Sequence, residues 1–82
     1  MKIRVGLIGR YKDIVGRNDI EIELSNGDTI RRLVDAFVSK YPMFEKDKKF
    51  MMVTKNGAFV NRDTALSSGD TITLAPPVVS GG

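Results

Sequence analysis

The sequence has no cysteine, no histidine and no tryptophan. Without cysteine there can be no disulfide framework, no thiolate nucleophile and no thiolate metal site. Without histidine the usual acid or base at neutral pH and the commonest metal ligand are both missing. Most enzyme classes are therefore disfavoured before any motif is considered. A cysteine-free composition also agrees with the reducing cytoplasm, which is where we expect the protein.

Long apolar runs and blocks of like charge are missing as well. No run approaches the roughly 18 residues that cross a bilayer, so we expect neither a signal peptide nor contact with a membrane. The 13 basic and 10 acidic residues are interspersed and give a net charge of +3. This balance gives no reason to expect a nucleic acid partner. The 82 residues provide one domain with a small core.

Alternating apolar residues predict two strands near the beginning of the sequence. In residues 2–8 and again in residues 19–24, every second residue is apolar, which is typical of a strand with one buried face. Gly9 and Gly16 lie between the two segments. The sequence therefore predicts an amino-terminal hairpin with a long loop.

One amphipathic helix is predicted after the turn residues 25–28. Asp28 or Thr29 can cap it by accepting a hydrogen bond from a free backbone N–H, and Pro42 should end it near Lys40. The apolar residues of this segment recur at helical spacing and form one stripe: Ile30, Leu33, Val34, Phe37, Val38 and Tyr41. This helix is the only predicted element that is large enough to cover a sheet face.

Three more strands are predicted in the second half of the sequence. Residues 50–54 and 58–60 flank Asn56-Gly57, the strongest short signal for a hairpin. Residues 71–75 alternate again before Pro76-Pro77 ends the ladder. The order strand, strand, helix, strand, strand, strand predicts an α+β fold, a mixed sheet packed on one main helix, with the last strand beside the first.

The residues that could carry chemistry within the domain have simpler structural interpretations. Glu21 and Glu23 alternate with isoleucines, as on the exposed face of a half-solvated strand. The charged run at residues 45–49 could touch phosphates, but a solvated loop with a short helical turn is favoured. Met51 and Met52 are interpreted as core fillers and not as a partner groove. No catalytic or metal-binding constellation is predicted.

The end of the sequence is the feature that indicates a function. Gly81-Gly82 closes a short segment after Pro76-Pro77, so we expect a folded domain over residues 1–77 and a flexible tail over residues 78–82. Glycines have no Cβ, so such a tail can pass through a narrow channel and leave its carboxyl carbon open to attack. Because a carboxylate is a poor electrophile, the tail implies a partner enzyme that uses ATP to form an acyl-adenylate.

These features resemble the ubiquitin-like β-grasp sulfur carriers, and within them the small subunit of molybdopterin synthase. The resemblance covers nearly the whole chain and rests on KIRVGLIG, RYKDIVG, GDTIRRLVDAFVSKYP, NGAFVN and above all LSSGDTITLAPPVVSGG. It implies a ubiquitin-like β-grasp fold and a role in molybdenum or tungsten cofactor biosynthesis. Gly82 would be adenylated, converted to a thiocarboxylate and used to donate sulfur to cyclic pyranopterin monophosphate.

The resemblance also implies partners and contact residues. The partners would be the large catalytic synthase subunit, an adenylating enzyme of the ubiquitin-activating type and a sulfur donor enzyme, with a heterotetramer as the assembled synthase. The chain would be non-catalytic on its own and bind no cofactor or metal, because ATP is used by the activating partner. The tail residues that enter the partners would be Val78, Val79, Ser80, Gly81 and Gly82. The partner interface would comprise Arg4, Ile8, Thr73, Ala75, Pro76 and Pro77.

Two other functions stay open at this point. One is a sulfur carrier for tRNA thiolation or thiamine synthesis, and the other is a ubiquitin-like modifier that Gly82 joins to lysines of other proteins. Both share the adenylation step, so the tail does not separate them from the first function. The thiamine carriers resemble shorter chains without Pro-Pro. The sequence departs from the family pattern by three residues instead of two between Pro-Pro and Gly-Gly, and by Ala75 where an aromatic residue is common.

Overall fold

The computed structural model describes residues 1–77, which form a mixed five-stranded sheet with helix α2 packed against one face. The strands are β1 (Lys2–Leu7), β2 (Asp19–Glu23), β3 (Met52–Lys55), β4 (Ala58–Phe59) and β5 (Thr71–Ala75). The helices are α1 (Arg10–Val15), α2 (Ile30–Lys40) and a 3₁₀ helix (Pro42–Asp47). The predicted α+β fold is confirmed. The predicted tail, residues 78–82, lies outside the described residues.

The strands are arranged in the order β2-β1-β5-β3-β4. β1 and β2 form the predicted antiparallel hairpin, and β5 returns parallel to β1, also as predicted. The remaining neighbours are antiparallel. Because β1 and β5 are parallel, their carboxyl ends lie side by side. The chain therefore leaves β5 at the same end of the sheet at which β1 ends.

Helix α2 begins and ends where its local sequence predicts. The Oγ1 of Thr29 accepts a hydrogen bond of 3.4 Å from the backbone N–H of Arg32, and the helix ends at Lys40. The stripe residues that are buried in the core are Ile30, Leu33, Val34, Phe37 and Val38. Burying each such side chain contributes roughly 1.5–3 kcal/mol, so packing against the sheet holds this short helix in place.

None of the helices in residues 1–77 has the length and apolar character that a bilayer crossing needs, and α2, with 11 residues, is the longest of them.

The hairpin at Asn56-Gly57 is confirmed, although its strands are shorter than predicted. The φ angles of the two turn residues are 52° and 87°, a conformation that asparagine and glycine tolerate. The predicted start of the first of these strands at Phe50 is wrong, because β3 begins at Met52 and the backbone N–H of Phe50 donates to the carbonyl of Asp47 at 2.8 Å. Phe50 therefore lies in the turn after the 3₁₀ helix, and it is 67% exposed.

Two segments that were expected to be loops contain helices joined by buried side chains. Tyr11 of α1 is fully buried, and its ring centroid lies 4.5 Å from that of Phe44 in the 3₁₀ helix. The hydroxyl of Tyr11 donates to Oδ2 of Asp47 at 2.8 Å, and Arg10 pairs with the same carboxylate. Burial and this hydrogen bond raise the pKa of Tyr11 above its usual value. The charged run does include a helical turn, but Asp47 is an anchor and not a solvated residue.

We expect Tyr11→Phe to lower the free energy of unfolding by about 1–2 kcal/mol, because it removes a buried hydrogen bond to a charged group while leaving the ring in place. Chemical denaturation measures this change. Tyr41→Phe is the matched control, because it removes the hydroxyl of a half-buried tyrosine in the same aromatic cluster. Equal losses in the two variants would contradict a specific role for the Tyr11–Asp47 bond.

Candidate functional site

The last described residues, Pro76 and Pro77, follow β5 at the end of the sheet where β1 also ends. The backbone N–H of Ile8 donates to the carbonyl of Leu74 at 3.1 Å, which extends the parallel ladder to the ends of both strands. Gly9 then turns with a φ of 62°. A Cβ built on Gly9 would lie 3.5 Å from Cγ of Pro76. Gly9 thus lets the loop after β1 pass close to the exit of β5 in a conformation that other residues rarely adopt.

A network of turn side chains holds the start of β5. The carboxylate of Asp70 accepts hydrogen bonds from the backbone N–H of Ser67 at 2.8 Å and from the side-chain amide of Asn56 at 3.3 Å. The bond from Ser67 is the main reason that the pKa of Asp70 lies below its usual value. Oδ1 of Asn56 also accepts from the backbone N–H of Thr71 at 2.9 Å. The network ties the β3–β4 turn to β5 and supports the register of the sheet.

The sheet face opposite α2 carries an apolar surface beside the exit of β5. In the register of the ladder, Met52 lies opposite Ala75, and Thr54 lies between Phe59 and Thr73. Gly6 is the β1 neighbour of Thr73, and Ile8 continues the alternation of β1. Ile8 and Phe59 are 51% and 70% exposed. We call this surface the outer patch and define it as Ile8, Met52, Phe59, Thr73 and Ala75.

The structure brings together most, but not all, of the predicted interface residues. Ile8, Thr73 and Ala75 belong to the outer patch, and Pro76 and Pro77 follow directly from β5. Their predicted contacts with partners stay predictions. The predicted tail residues lie outside the described part of the chain: Val78, Val79, Ser80, Gly81 and Gly82.

Arg4 is the predicted interface residue that lies apart from the outer patch. It shares the same sheet face, but its register partner on β5 is Thr71, at the opposite end of the strand from the exit. Four residues of strand separate Arg4 from Ile8, a distance of about 13 Å. The guanidinium of Arg4 lies 3.8 Å from the carboxylate of Asp19, and both side chains are largely exposed. Arg4 therefore belongs to a charged part of this face.

The sequence pattern did not predict that two residues of the outer patch, Met52 and Phe59, lie on the outer face of the sheet. Met51 is buried as expected of a core filler, but Met52 is half-exposed on the outer face, so the core interpretation is wrong for Met52. Phe59 was not assigned to either face. The two-residue turn at Asn56-Gly57 was the available signal, since it sets Phe59 opposite Thr54 and hence on the same face.

The outer patch is suited to bind another protein surface. Large exposed apolar side chains that cluster on one face are typical of interaction sites. Residues 1–77 contain no group of three histidine, cysteine, aspartate or glutamate residues that could hold a metal ion. The exposed apolar side chains of the outer patch offer a docking surface beside Pro76 and Pro77.

The sheet order, the parallel pair of β1 and β5, and the single covering helix define a ubiquitin-like β-grasp fold, which solved structures share over almost the whole chain. The chain belongs to the ThiS family, whose model matches residues 5–82. The match includes β5, Pro76-Pro77 and the closing Gly81-Gly82.

Curated and solved proteins are similar to this chain over most of its length. The molybdopterin synthase sulfur carrier subunit of Arabidopsis thaliana is 24% identical over 81 residues, which are 99% of this chain and 84% of the relative. The structure of a putative molybdopterin converting factor, subunit 1, from Pyrococcus furiosus is 26% identical with a TM-score of 0.84, and the match covers 95% of this chain and 99% of that one.

Two further structures share the fold at lower identity. SAMP1 from Haloferax volcanii is 24% identical with a TM-score of 0.82, and both chains are covered completely. A chain in the complex of subunits 1 and 2 of the molybdopterin-converting factor from Helicobacter pylori is 22% identical with a TM-score of 0.67, with 99% of this chain and 100% of that one covered. At these identities the likeness concerns the fold alone.

Proposed function

We propose that the protein is the sulfur-carrier subunit of a molybdopterin synthase. In this proposal an activating enzyme uses ATP to convert the carboxylate of Gly82 to an acyl-adenylate with release of pyrophosphate. Sulfur at the sulfide oxidation level, supplied by a donor enzyme, then displaces AMP and leaves a thiocarboxylate. That sulfur bonds to cyclic pyranopterin monophosphate in the large subunit, and water cleaves the bond between the sulfur and the carboxyl carbon, which returns Gly82 to a carboxylate. The catalytic groups belong to the partners, and this chain supplies the reactive end and the docking surface.

The observation that carries the proposal is the position of the outer patch beside the exit of β5. A partner that docks on Ile8 and Ala75 lies next to Pro76, from which the sequence continues to Gly82. The seven residues from Pro76 to Gly82 can span on the order of 23 Å when extended. This reach would carry the carboxylate of Gly82 from the docking surface into a partner's active site. The family match and the printed names of the relatives support the same function.

The large-subunit partner is supported by the Helicobacter pylori structure, which is a complex of subunits 1 and 2 of the molybdopterin-converting factor. We propose a corresponding assembly here, a heterotetramer that contains two large subunits. The protein acts in the cytoplasm in this proposal, where the activating enzyme and ATP are present.

Intact mass spectrometry tests the proposal directly. The protein is incubated with ATP, its activating enzyme and a sulfur donor, and we expect a product in which one terminal oxygen is replaced by sulfur. Addition of the large subunit and cyclic pyranopterin monophosphate should return the original mass as molybdopterin forms. A thiocarboxylate that persists in the presence of the large subunit and the pterin would contradict this acceptor, and failure to form any thiocarboxylate would contradict the carrier role itself.

A protein modifier is the second candidate function. The closing Gly81-Gly82 supports it, because an adenylated glycine can also form an isopeptide bond with a lysine amine. The fold shared with SAMP1, a small archaeal modifier protein, is compatible with it. Conjugates of higher mass, joined through Gly82 and formed in cell extract without a thiocarboxylate, would favour this function over the carrier role.

A further inference from the structure

A basic groove runs along one flank of α2, at the edge of the buried stripe of the helix. It encloses about 400 Å³ between α2, the 3₁₀ helix with the residues after it, and the loop that contains Arg62. Val34 contributes an apolar wall. The charged residues that line the groove are four cations and two acids: Arg31, Lys48, Lys49, Arg62, Asp35 and Glu45.

Backbone hydrogen bonds hold the two arginines of this groove beside each other. The N–H of Arg31, in the first turn of α2, donates to the carbonyl of Arg62 at 2.9 Å. The guanidinium of Arg62 donates through Nη2 to the carbonyl of Met51, also at 2.9 Å. Arg62 is thus fixed at the edge of the core, with part of its guanidinium removed from water.

Two of the four cations that line the groove form ion pairs with carboxylates. Arg31 pairs with Asp63 at 2.7 Å, and Lys48 pairs with Asp35 at 2.9 Å; each pairing raises the pKa of the cation. Within residues 1–77, no carboxylate lies within ion-pair distance of Arg62 or Lys49.

Arg62 differs from Arg31 and Lys48 because its pKa is lowered and theirs are raised. Its partial burial, followed by the neighbouring positive charge of Arg31, lowers the pKa of its guanidinium, although the carboxylate of Asp35 acts in the opposite direction. A partly desolvated guanidinium beside another guanidinium raises the energy of the empty groove, and a negative ligand would remove that penalty.

We propose that the groove binds an oxyanion, held by Arg62 and Lys49, the two groove cations that have no carboxylate within ion-pair distance in residues 1–77. A carboxylate or a phosphate group matches the planar fork of a guanidinium. The amino terminus of α2 is not the source of the attraction, because its first N–H groups donate to the carbonyls of Thr64 and Arg62 and to the hydroxyl of Thr29.

The residues that line the groove and those that form the outer patch do not overlap. A ligand in the groove is therefore held by residues other than those of the proposed docking surface. The proposal is independent of the sulfur-carrier function, and loss of one would not imply loss of the other.

Titration followed by NMR tests this proposal on the full chain. Inorganic phosphate and a short glutamate-rich peptide are added separately at constant ionic strength. We expect saturable shifts of the Arg62 Nε–H resonance and of the Arg31 amide with at least one probe. Tighter binding of phosphate identifies a phosphate ligand, and tighter binding of the peptide identifies the acidic segment of a protein partner.

Three variants decide whether the shifts report a specific site. Arg62→Gln and Lys49→Gln should each weaken binding about tenfold, as expected for loss of a charge-assisted hydrogen bond. Lys12→Gln removes the same charge from exposed α1 and should leave binding unchanged. Lys49→Gln keeps the test valid if Arg62→Gln unfolds the protein, because Arg62 also bonds to Met51. Absence of saturable shifts with both probes, or equal weakening by Lys12→Gln, would overturn the proposal.

Discussion

Deletion of Gly82 will reduce sulfur transfer to the level seen without the protein and will leave the folded domain intact. In the proposed function, the carboxyl carbon of Gly82 is the atom that is adenylated, so a chain that ends one residue earlier presents its carboxylate short of the active site. Addition of one residue after Gly82 should have the same effect, because it converts that carboxylate into an amide. Thiocarboxylate formation, measured by intact mass spectrometry, and molybdopterin formation are the two readouts.

The stability of these variants should match that of the parent chain. The core residues that the structure describes all lie between Ile3 and Leu74, so neither change touches them. Thermal unfolding measures this directly. Ser80→Ala is the matched control, since it alters the same segment but keeps the closing Gly81-Gly82, and it should retain sulfur transfer. Normal transfer by the deleted or the extended chain would refute the assignment of Gly82 as the reactive residue.

The main helix and the last strand could be predicted from the sequence because their signals are local. The apolar stripe of α2, its cap at Thr29 and the proline after it lie within one short segment. In β5, Ile72 and Leu74 alternate with residues of the outer face, and the structure shows both fully buried. In each segment the period of the apolar residues is sufficient to identify the buried face.

Helix α1 could not be predicted because nothing local specifies it. It has six residues, and Gly9 at its amino end provides no side-chain cap. Its one buried residue, Tyr11, is held by Asp47, which lies 36 residues further along the chain. Helices this short are marginal without tertiary packing. The same contact explains why Asp47 is not a solvated residue of the charged run.

The candidate site shows a similar division between local and long-range information. Ile8, Thr73 and Ala75 could be placed near the exit of β5, because each lies on a strand whose alternation is clear. The inclusion of Phe59 depends on the register of β4 against β3, and that of Met52 on the register of β3 against β5. The two-residue turn at Asn56-Gly57 sets the first of these registers, whereas the second is set by the assembled sheet and no single segment reveals it.

The sheet register also shows where a large aromatic side chain lies in this chain, which has no aromatic residue directly before Pro76-Pro77. Ala75 occupies that position, which by itself indicated a weaker apolar anchor. The register instead places Phe59, with 70% of its side chain exposed, on the same face two strands away. Phe59 therefore supplies a large exposed aromatic side chain on the face to which Ala75 contributes only a methyl group.

Ala75→Glu should therefore weaken binding to the large synthase subunit and to the activating enzyme by about 100-fold. Ala75 is the last residue of β5 and lies opposite Met52 of β3. A partner docked on the outer patch would exclude water from the side chain of Ala75. A carboxylate buried there without a partner costs at least 2–3 kcal/mol of binding free energy. Isothermal titration calorimetry with each purified partner measures the loss.

Thr71→Glu is the matched control for this prediction. It introduces the same charge on the same strand and the same sheet face, but Thr71 lies beside Arg4 at the far end of β5. A glutamate there faces a basic neighbour and stays in water, so binding should change less than about threefold. Since both variants alter half-exposed or exposed positions outside the core, their thermal unfolding should resemble that of the parent chain. Equal loss of binding in the two variants would mean that the partner recognises the charge of the whole face and not the outer patch, and unchanged binding in both would mean that the partner docks elsewhere.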